Sequence, residues 1–315
     1  MDRWVMSKVA SLCYEVEQAY GSYEPTQAAR AIQDFVVEDL SNWYVRLNRR
    51  RFWKSEKGDD KEAAFQTLYD CLETVAILSA PIAPFFSDRL FRDLEGVTGR
   101  RNRVEQRSLR NDARTSISSV HHTLWQGLQQ GLGRVDFDLI SAMRHAQWIT
   151  SLALRVRKEA GIRVRQPLAR MMVTSHIVWD DRERALLKRV ESLILSEVNV
   201  KAMEVVNIAE SGFTVIVKPD YKKLGTRLGK LMKPVATIIE SWGQKESSDL
   251  EKNVSVNLRI GDEEVTIHRD DVVVSVTSEN AAEVAVATDN VFTVGLDITL
   301  TNELLQEGMA RELVS

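Results

Sequence analysis

The chain is poor in cysteine. Two occur among 315 residues, Cys13 and Cys71, far apart and without a Cys-x-x-Cys spacing. That argues against a disulfide framework or a cysteine-ligated zinc site and fits a reducing, cytoplasmic location. No apolar run approaches the roughly 20 residues of a membrane-spanning helix, so no membrane segment is expected. The opening "MDRWVMSKVASLC" lacks the basic-then-apolar layout of a secretion signal. Gly-x-Ser-x-Gly, His-Glu-x-x-His and Gly-x-Gly-x-x-Gly are missing, and no repeat period is visible. Paired acids such as Asp180-Asp181 and Asp270-Asp271 are adjacent rather than opposed, which suits caps and turns. No catalytic residue is expected.

What is present is ordinary globular composition, 44% hydrophobic and 28% charged, at a length that allows two domains. The net charge of −3 hides an uneven distribution. Basic residues crowd Arg46–Lys57, Arg100–Arg114 and Arg155–Arg170, while acids dominate the far C-terminal part. Crowding of one sign points to a local anionic partner.

The first half reads as long helices joined by short turns, an antiparallel bundle over residues 1–160. Trp4, Val5, Val9, Leu12, Val16 and Ala19 recur at helical spacing, and after "GSYEP" a second helix runs from Thr26 to Trp53. Phe65, Leu68, Leu72 and Val75 line one side of a third. In "APIAPFF" the prolines break the chain, and Pro84 suits the first turn of the helix that follows. Residues 99–118 are basic, polar and aperiodic, as in a loop. Asp136 or Asp138 can cap another long helix that ends at Gly161.

Near residue 163 the texture changes to strands: "LARMMVTS", "VKAMEVV", "FTVIV", the hairpin "VSVNLRI-GDE-EVTIH", "VVVSVT", "EVAVAT" and "VFTVGLDITL". A capped helix begins at Asp180 with Glu183 three residues on. "PDYKKLGTRLGK" reads as a loop before a helix around Val235–Trp242, and Thr301 caps a last helix still in full stride at Ser315, so the natural chain is expected to continue. Residues 161–315 are thus expected to form a mixed α+β domain.

Three constellations invite chemistry. In "LSNWYVRLNRRRFWKS", a 100° step puts Leu40, Trp43, Tyr44 and Leu47 on a core stripe and Asn42, Arg46, Arg49 and Trp53 on the other face. Guanidinium groups beside an aromatic ring suit phosphates and an unpaired base. The other reading has Trp53 tucked under the next turn and the arginines solvated. "GTRLGK" mimics a phosphate loop, but its spacing is one short and Leu231 replaces the hydroxyl residue, so a basic surface loop is the better reading. His121 and His122 are adjacent, diverge on a helix and lack Cys or carboxylate support, so no metal ligand is expected.

At "LSNWYVRLNRRRFWKS" the chain resembles the anticodon-binding helical domain of class I isoleucyl-tRNA synthetases. The likeness continues through "LSAPIAPFFSDRLFRDL", "SVHHTLW", "LRVRKEAGIRVRQPL", "NVKAMEVV", "PDYKKLGTRLGKLMKPV" and "LTNELLQEGMARELV". "NRRRFW" and "VRQPL" favour the isoleucine enzyme over its valine and leucine relatives, whose equivalent region is the alternative. The resemblance implies a parent ligase, a cytoplasmic monomer, using ATP and magnesium in a catalytic domain outside this stretch, with zinc a further candidate. It implies an isoleucine-acceptor tRNA as partner, with no DNA and no membrane. For the stretch in hand no cofactor and no metal is expected, and the tRNA-binding candidates are Arg46, Arg49, Arg50, Trp53 and Lys54. Arg100–Arg114 departs from the family pattern. The rivals are a helical protein-interaction scaffold with solvated charges and a nucleotide hydrolase resting on "GTRLGK".

Overall fold

A computed structural model describes residues 1–53, 58–98, 119–123, 135–175, 180–206, 212–243, 246, 255–260, 263–278, 280, 282–289 and 291–313. Lys54 and the segment 99–118 lie outside these residues. The chain divides into two compact units, Met1–Ser141 and Ala142–Ser315.

The first unit is all-helical: α1 (Asp2–Gly21), α2 (Pro25–Asp34), a π-helical segment (Phe35–Val45), α3 (Arg49–Trp53), α4 (Asp59–Ser79) and α5 (Pro84–Thr98). Pro25 and Pro84 occupy first-turn positions, where a missing N–H leaves no bond unmade. All six apolar positions read for α1 are buried. On α4 the buried residues include Ala64, Thr67, Cys71, Thr74 and Leu78, whereas Phe65 is exposed and Leu68 and Leu72 are half-buried. Of the four positions expected on the inward side of α4 only Val75 is buried, and beside it lie Ile77 and the polar Asp70 and Glu73. Burial pushes the Cys13 thiol up to about 12 and raises that of Cys71 too, which keeps both protonated and inert.

The helix α6 (Phe137–Glu159) starts in the first unit and continues into the second. Asp136 Oδ1 accepts from the Leu139 N–H at 2.9 Å and so supplies its cap. The second unit then runs β1 (Leu168–Ser175), α7 (Asp181–Val198), β2 (Val200–Val205), β3 (Phe213–Pro219), α8 (Tyr221–Leu228), α9 (Met232–Glu240), β4 (Ser255–Ile260), β5 (Glu263–His268), β6 (Val272–Ser278), β7 (Val284–Thr288), β8 (Phe292–Asp297) and α10 (Asn302–Leu313). One sheet has the order β2-β1-β8-β7. Its β1 and β2 are parallel and joined through α7, and its other pairs are antiparallel. The strands β3 and β6 pair separately, and β4 with β5 forms the expected antiparallel pair. "PDYKKLGTRLGK" is not a loop. Asp220 accepts from the Lys222 and Lys223 N–H groups and caps α8 there.

A buried arginine holds the start of this unit. Arg157 is 1% exposed and donates to the carbonyls of Arg163, Gln166 and Asn199 at 2.9–3.1 Å. Burial pushes its pKa down to about 10, so it stays charged at neutral pH. The rest of the third basic cluster is largely engaged too: Arg155 donates to the Thr288 carbonyl, Arg163 pairs with Glu312, and Arg170 pairs with Glu204. The third basic cluster therefore also ties helices and strands of the second unit together.

Candidate nucleic-acid interface

The candidate helix does not keep one α-helical phase. Through Phe35–Val45 the backbone is π-helical, and the Arg46 N–H reaches back five residues to the Ser41 carbonyl. An i→i+5 turn takes more residues than an α turn, so the buried stripe advances in steps of four or five: Phe35, Leu40, Tyr44, Asn48, Phe52. Asn48 is buried where the 100° reading placed Leu47, and Leu47 is only half-buried. Asn48 tolerates burial because its Nδ2 donates to the Tyr44 carbonyl at 2.8 Å and its Oδ1 accepts from Arg51 at 3.0 Å. Phe52 meets Tyr44 and Phe65 edge-on, with ring centroids 6.2 and 5.2 Å apart.

The four arginines of this stretch fall into two groups. Arg51 is a structural clamp. Its Nη1 and Nη2 grip the two oxygens of Asp2 at 2.7 and 2.9 Å, and its Nε and Nη2 reach the Asp60 carboxylate at 2.9 and 2.7 Å. Tyr44 donates its hydroxyl to Asp2 Oδ1 at 3.0 Å. Burial works against ionising Asp2, yet the hydrogen bonds from Arg51 and Tyr44 hold its carboxyl below the usual value. Periodicity could not have found this role, because Asp2 is 49 residues away in sequence.

Arg46, Arg49, Arg50 and Trp53 are all exposed, and Trp53 shows 67% of its surface against 8% for Trp43. Arg46 donates from Nε to the Asn42 carbonyl at 2.8 Å and lies over the Trp43 ring at 5.9 Å. The Arg49 guanidinium stands 5.7 Å from the centroid of Trp53, one helical turn on. Neither Arg49 nor Arg50 has an acidic partner among the described residues. The ring meets Phe52 at 6.0 Å with the two planes nearly perpendicular, and most of its surface stays exposed. An arginine poised over an exposed ring offers phosphate pairing and base stacking within one turn.

The other sequence candidates are placed differently. His121 and His122 are exposed on a short 3₁₀ turn capped by Ser119. Among the described residues, no cluster of three or more His, Cys, Asp or Glu could hold a metal ion. No described helix is long and apolar enough to cross a membrane.

A helical bundle that presents arginines and an exposed tryptophan carries the groups by which helical domains meet phosphates and unpaired bases. The chain belongs to the family described as the anticodon-binding domain of tRNA ligase, whose sequence profile matches residues 2–173. Over its whole length it is similar to the isoleucine–tRNA ligase of Bacteroides fragilis, at 44% identity covering 26% of that protein. It is similar also to those of Cytophaga hutchinsonii, at 42% identity and 26% coverage, and Thermus thermophilus, at 34% and 28%. The chain corresponds to the anticodon-binding region of such ligases and spans about a quarter of their length.

Proposed function

We propose that the chain binds and positions the anticodon stem-loop of an isoleucine-accepting tRNA, on behalf of a larger cytoplasmic ligase that joins isoleucine to that tRNA using ATP and magnesium. The observation that carries this reading is the division of labour on α3. Arg51 is spent on Asp2 and Asp60, while Arg49 and Trp53 face outward as a stacked pair. A merely solvated helix gives no reason for a large aromatic ring to stay in water beside them. The exposed Arg46 and Arg50 add phosphate-directed charge on the same helical run. Similarity to named isoleucine–tRNA ligases supports isoleucine as the amino acid of the whole protein.

Filter binding of the chain to purified tRNAs across a salt series tests the proposal. Isoleucine acceptors are expected to bind most tightly, with affinity falling as salt rises, by about one unit of log–log slope per phosphate contact. Binding that is indifferent to salt would instead favour the scaffold reading. That reading has its own observation: Tyr23, Phe85 and Phe86 are 91%, 90% and 64% exposed, apolar surface that a protein partner could cover.

A further inference from the structure

The wide winding of Phe35–Val45 needs a cause, because i→i+5 turns are uncommon in proteins and gather at functional sites. Of the segment's buried residues, Phe35, Asp39, Leu40, Trp43 and Tyr44, Asp39 alone is charged. It is 8% exposed, and its Oδ2 lies 3.0 Å from Lys8 Nζ on α1. A carboxylate at a core-facing position is costly unless a cation meets it there. Lys8 does so, with a side chain 31% exposed that brings its charge in from the surface.

Five residues beyond Asp39, the buried Tyr44 donates its hydroxyl to Asp2 Oδ1 at 3.0 Å. Asp2 and Lys8 belong to the same helix, so α1 holds both ends of one i→i+5 turn. An ordinary α-helix sets residues five apart about 140° out of line. Asp39 and Tyr44 would then diverge, and one of the two contacts with α1 would break. The wider turn carries both back toward it.

Packing does not select that turn. A pocket of about 130 Å³ opens beside the ion pair, its lining including Ser11, Glu15, Asp34 and Phe35, so no close-packed wall wedges Asp39 in place. The apolar residues are equally indifferent, since Leu40, Trp43 and Tyr44 share one stripe at 100° per residue as well. What distinguishes the two windings is the carboxylate. An α winding would leave Asp39 about 90° from the middle of that stripe, at its edge and away from Lys8. Buried ion pairs add little net stability, and their best-attested use is to fix register.

We infer that Lys8 and Asp39 are positioning residues for the outward-facing end of this helical run: their ion pair, together with the Asp2–Tyr44 contact, selects the wide turn. That turn fixes how Arg49 and Trp53, downstream on α3, are presented to RNA. The inference rests on the tRNA-binding reading. Lys8 and Asp39 act through the winding and make no contact with RNA themselves.

The test combines thermal melting, hydrogen–deuterium exchange over residues 35–53 and filter binding of the 315-residue chain to a purified isoleucine-acceptor tRNA. The double variant Lys8→Met, Asp39→Leu removes both charges at similar volume and is expected to melt at or above the parent's temperature. Its amides in 39–46 are expected to exchange faster, because two windings then compete. Its tRNA binding is expected to weaken about tenfold, as when one base loses its stacking partner. Lys8→Arg keeps the ion pair and is expected to match the parent in exchange and binding. Should the apolar variant fail to fold, Lys8→Gln with Asp39→Asn replaces it, with the same losses expected. Trp53→Ala is the control for tRNA binding itself. If it weakens binding while the double variant keeps the parent's affinity, the positioning role is overturned and the tRNA-binding reading stands. Parental exchange rates in the double variant overturn the pair's hold on the winding. If Trp53→Ala also binds like the parent, the tRNA-binding reading falls, and exchange alone decides whether the pair sets the turn.

Discussion

Asp2 and Arg51 face each other in a two-pronged ion pair, 2.7 and 2.9 Å, that ties the first turn of α1 to the end of the arginine-rich helix. The pair is half-sheltered, its side chains 31% and 22% exposed. Such charge-assisted bonds contribute about 1.5–3 kcal/mol. Arg51→Ala is therefore expected to lower unfolding free energy by about 2 kcal/mol in urea titration, and Arg51→Lys, which cannot make the fork, to recover only part. An unchanged midpoint for Arg51→Ala would mean that the clamp is decorative.

The same pair sets an acid response. Asp2 has a folded pKa below its unfolded one, because Arg51 and Tyr44 outweigh the cost of burial. Its contribution is fully present above the unfolded value near pH 4 and is lost as pH falls through the depressed folded value. The stability gap between the parent chain and Asp2→Asn is expected to be constant from pH 7 to 5 and to shrink below pH 4. A gap that widened in acid would have the wrong sign.

Trp43 and Trp53 lie on one helical run but answer to different environments, at 8% and 67% exposure. Trp43→Ala is expected to cost about 3–5 kcal/mol of stability. Trp53→Ala should melt nearly as the parent does and lose about 1–3 kcal/mol of tRNA binding with the salt slope intact. Arg49→Ala should flatten that slope by about one contact. Differential scanning calorimetry beside filter binding separates the three. Equal melting losses for the two tryptophan variants would place Trp53 in the core.

Arg157 serves three carbonyls at once, those of Arg163, Gln166 and Asn199. Arg157→Ala leaves the Gln166 carbonyl without its side-chain donor, while the Gln166 and Leu168 N–H groups still reach the carbonyls of Arg163 and Asn199, and empties the buried space of the guanidinium; it is expected to cost about 3 kcal/mol. Arg157→Lys keeps the charge but not the planar fork, and should remain well below the parent. Chemical denaturation of both variants checks the ordering.

Gly295 in β8 marks a close approach of another kind. A methyl group there would lie 2.5 Å from Phe213 Cζ and 3.3 Å from Val284 Cγ1. Gly295→Ala is expected to lose about 1–3 kcal/mol through overpacking. In a Phe213→Leu background the same change should cost less, and the double-mutant cycle measures the difference.

Helix and strand order were largely legible in the sequence, because long apolar periodicities and the caps at Asp136, Asp180 and Thr301 are local signals. The inward side of α4 was legible only at Val75, because Ala64, Thr67 and Thr74 look polar or neutral in isolation. The exposed quartet Arg46, Arg49, Arg50 and Trp53 could be picked out from residue type and spacing. The separation of Arg51 from that set could not, since its partners Asp2 and Asp60 are fixed only by the fold. "PDYKKLGTRLGK" resembles a loop in sequence because its two glycines mask the cap at Asp220 and the apolar Leu224 and Leu228.

The π-helical turns of Phe35–Val45 have one more consequence. They act as a fixed angular offset between the start of the second helix and its basic end, so the direction in which Arg49 and Trp53 point depends on how many residues the widened segment contains. Removing a single residue there while the wide turns persist would rotate everything downstream by about 100° and carry Arg51 off Asp2. The aim of the ring is written in the chain's count of residues as much as in their identity.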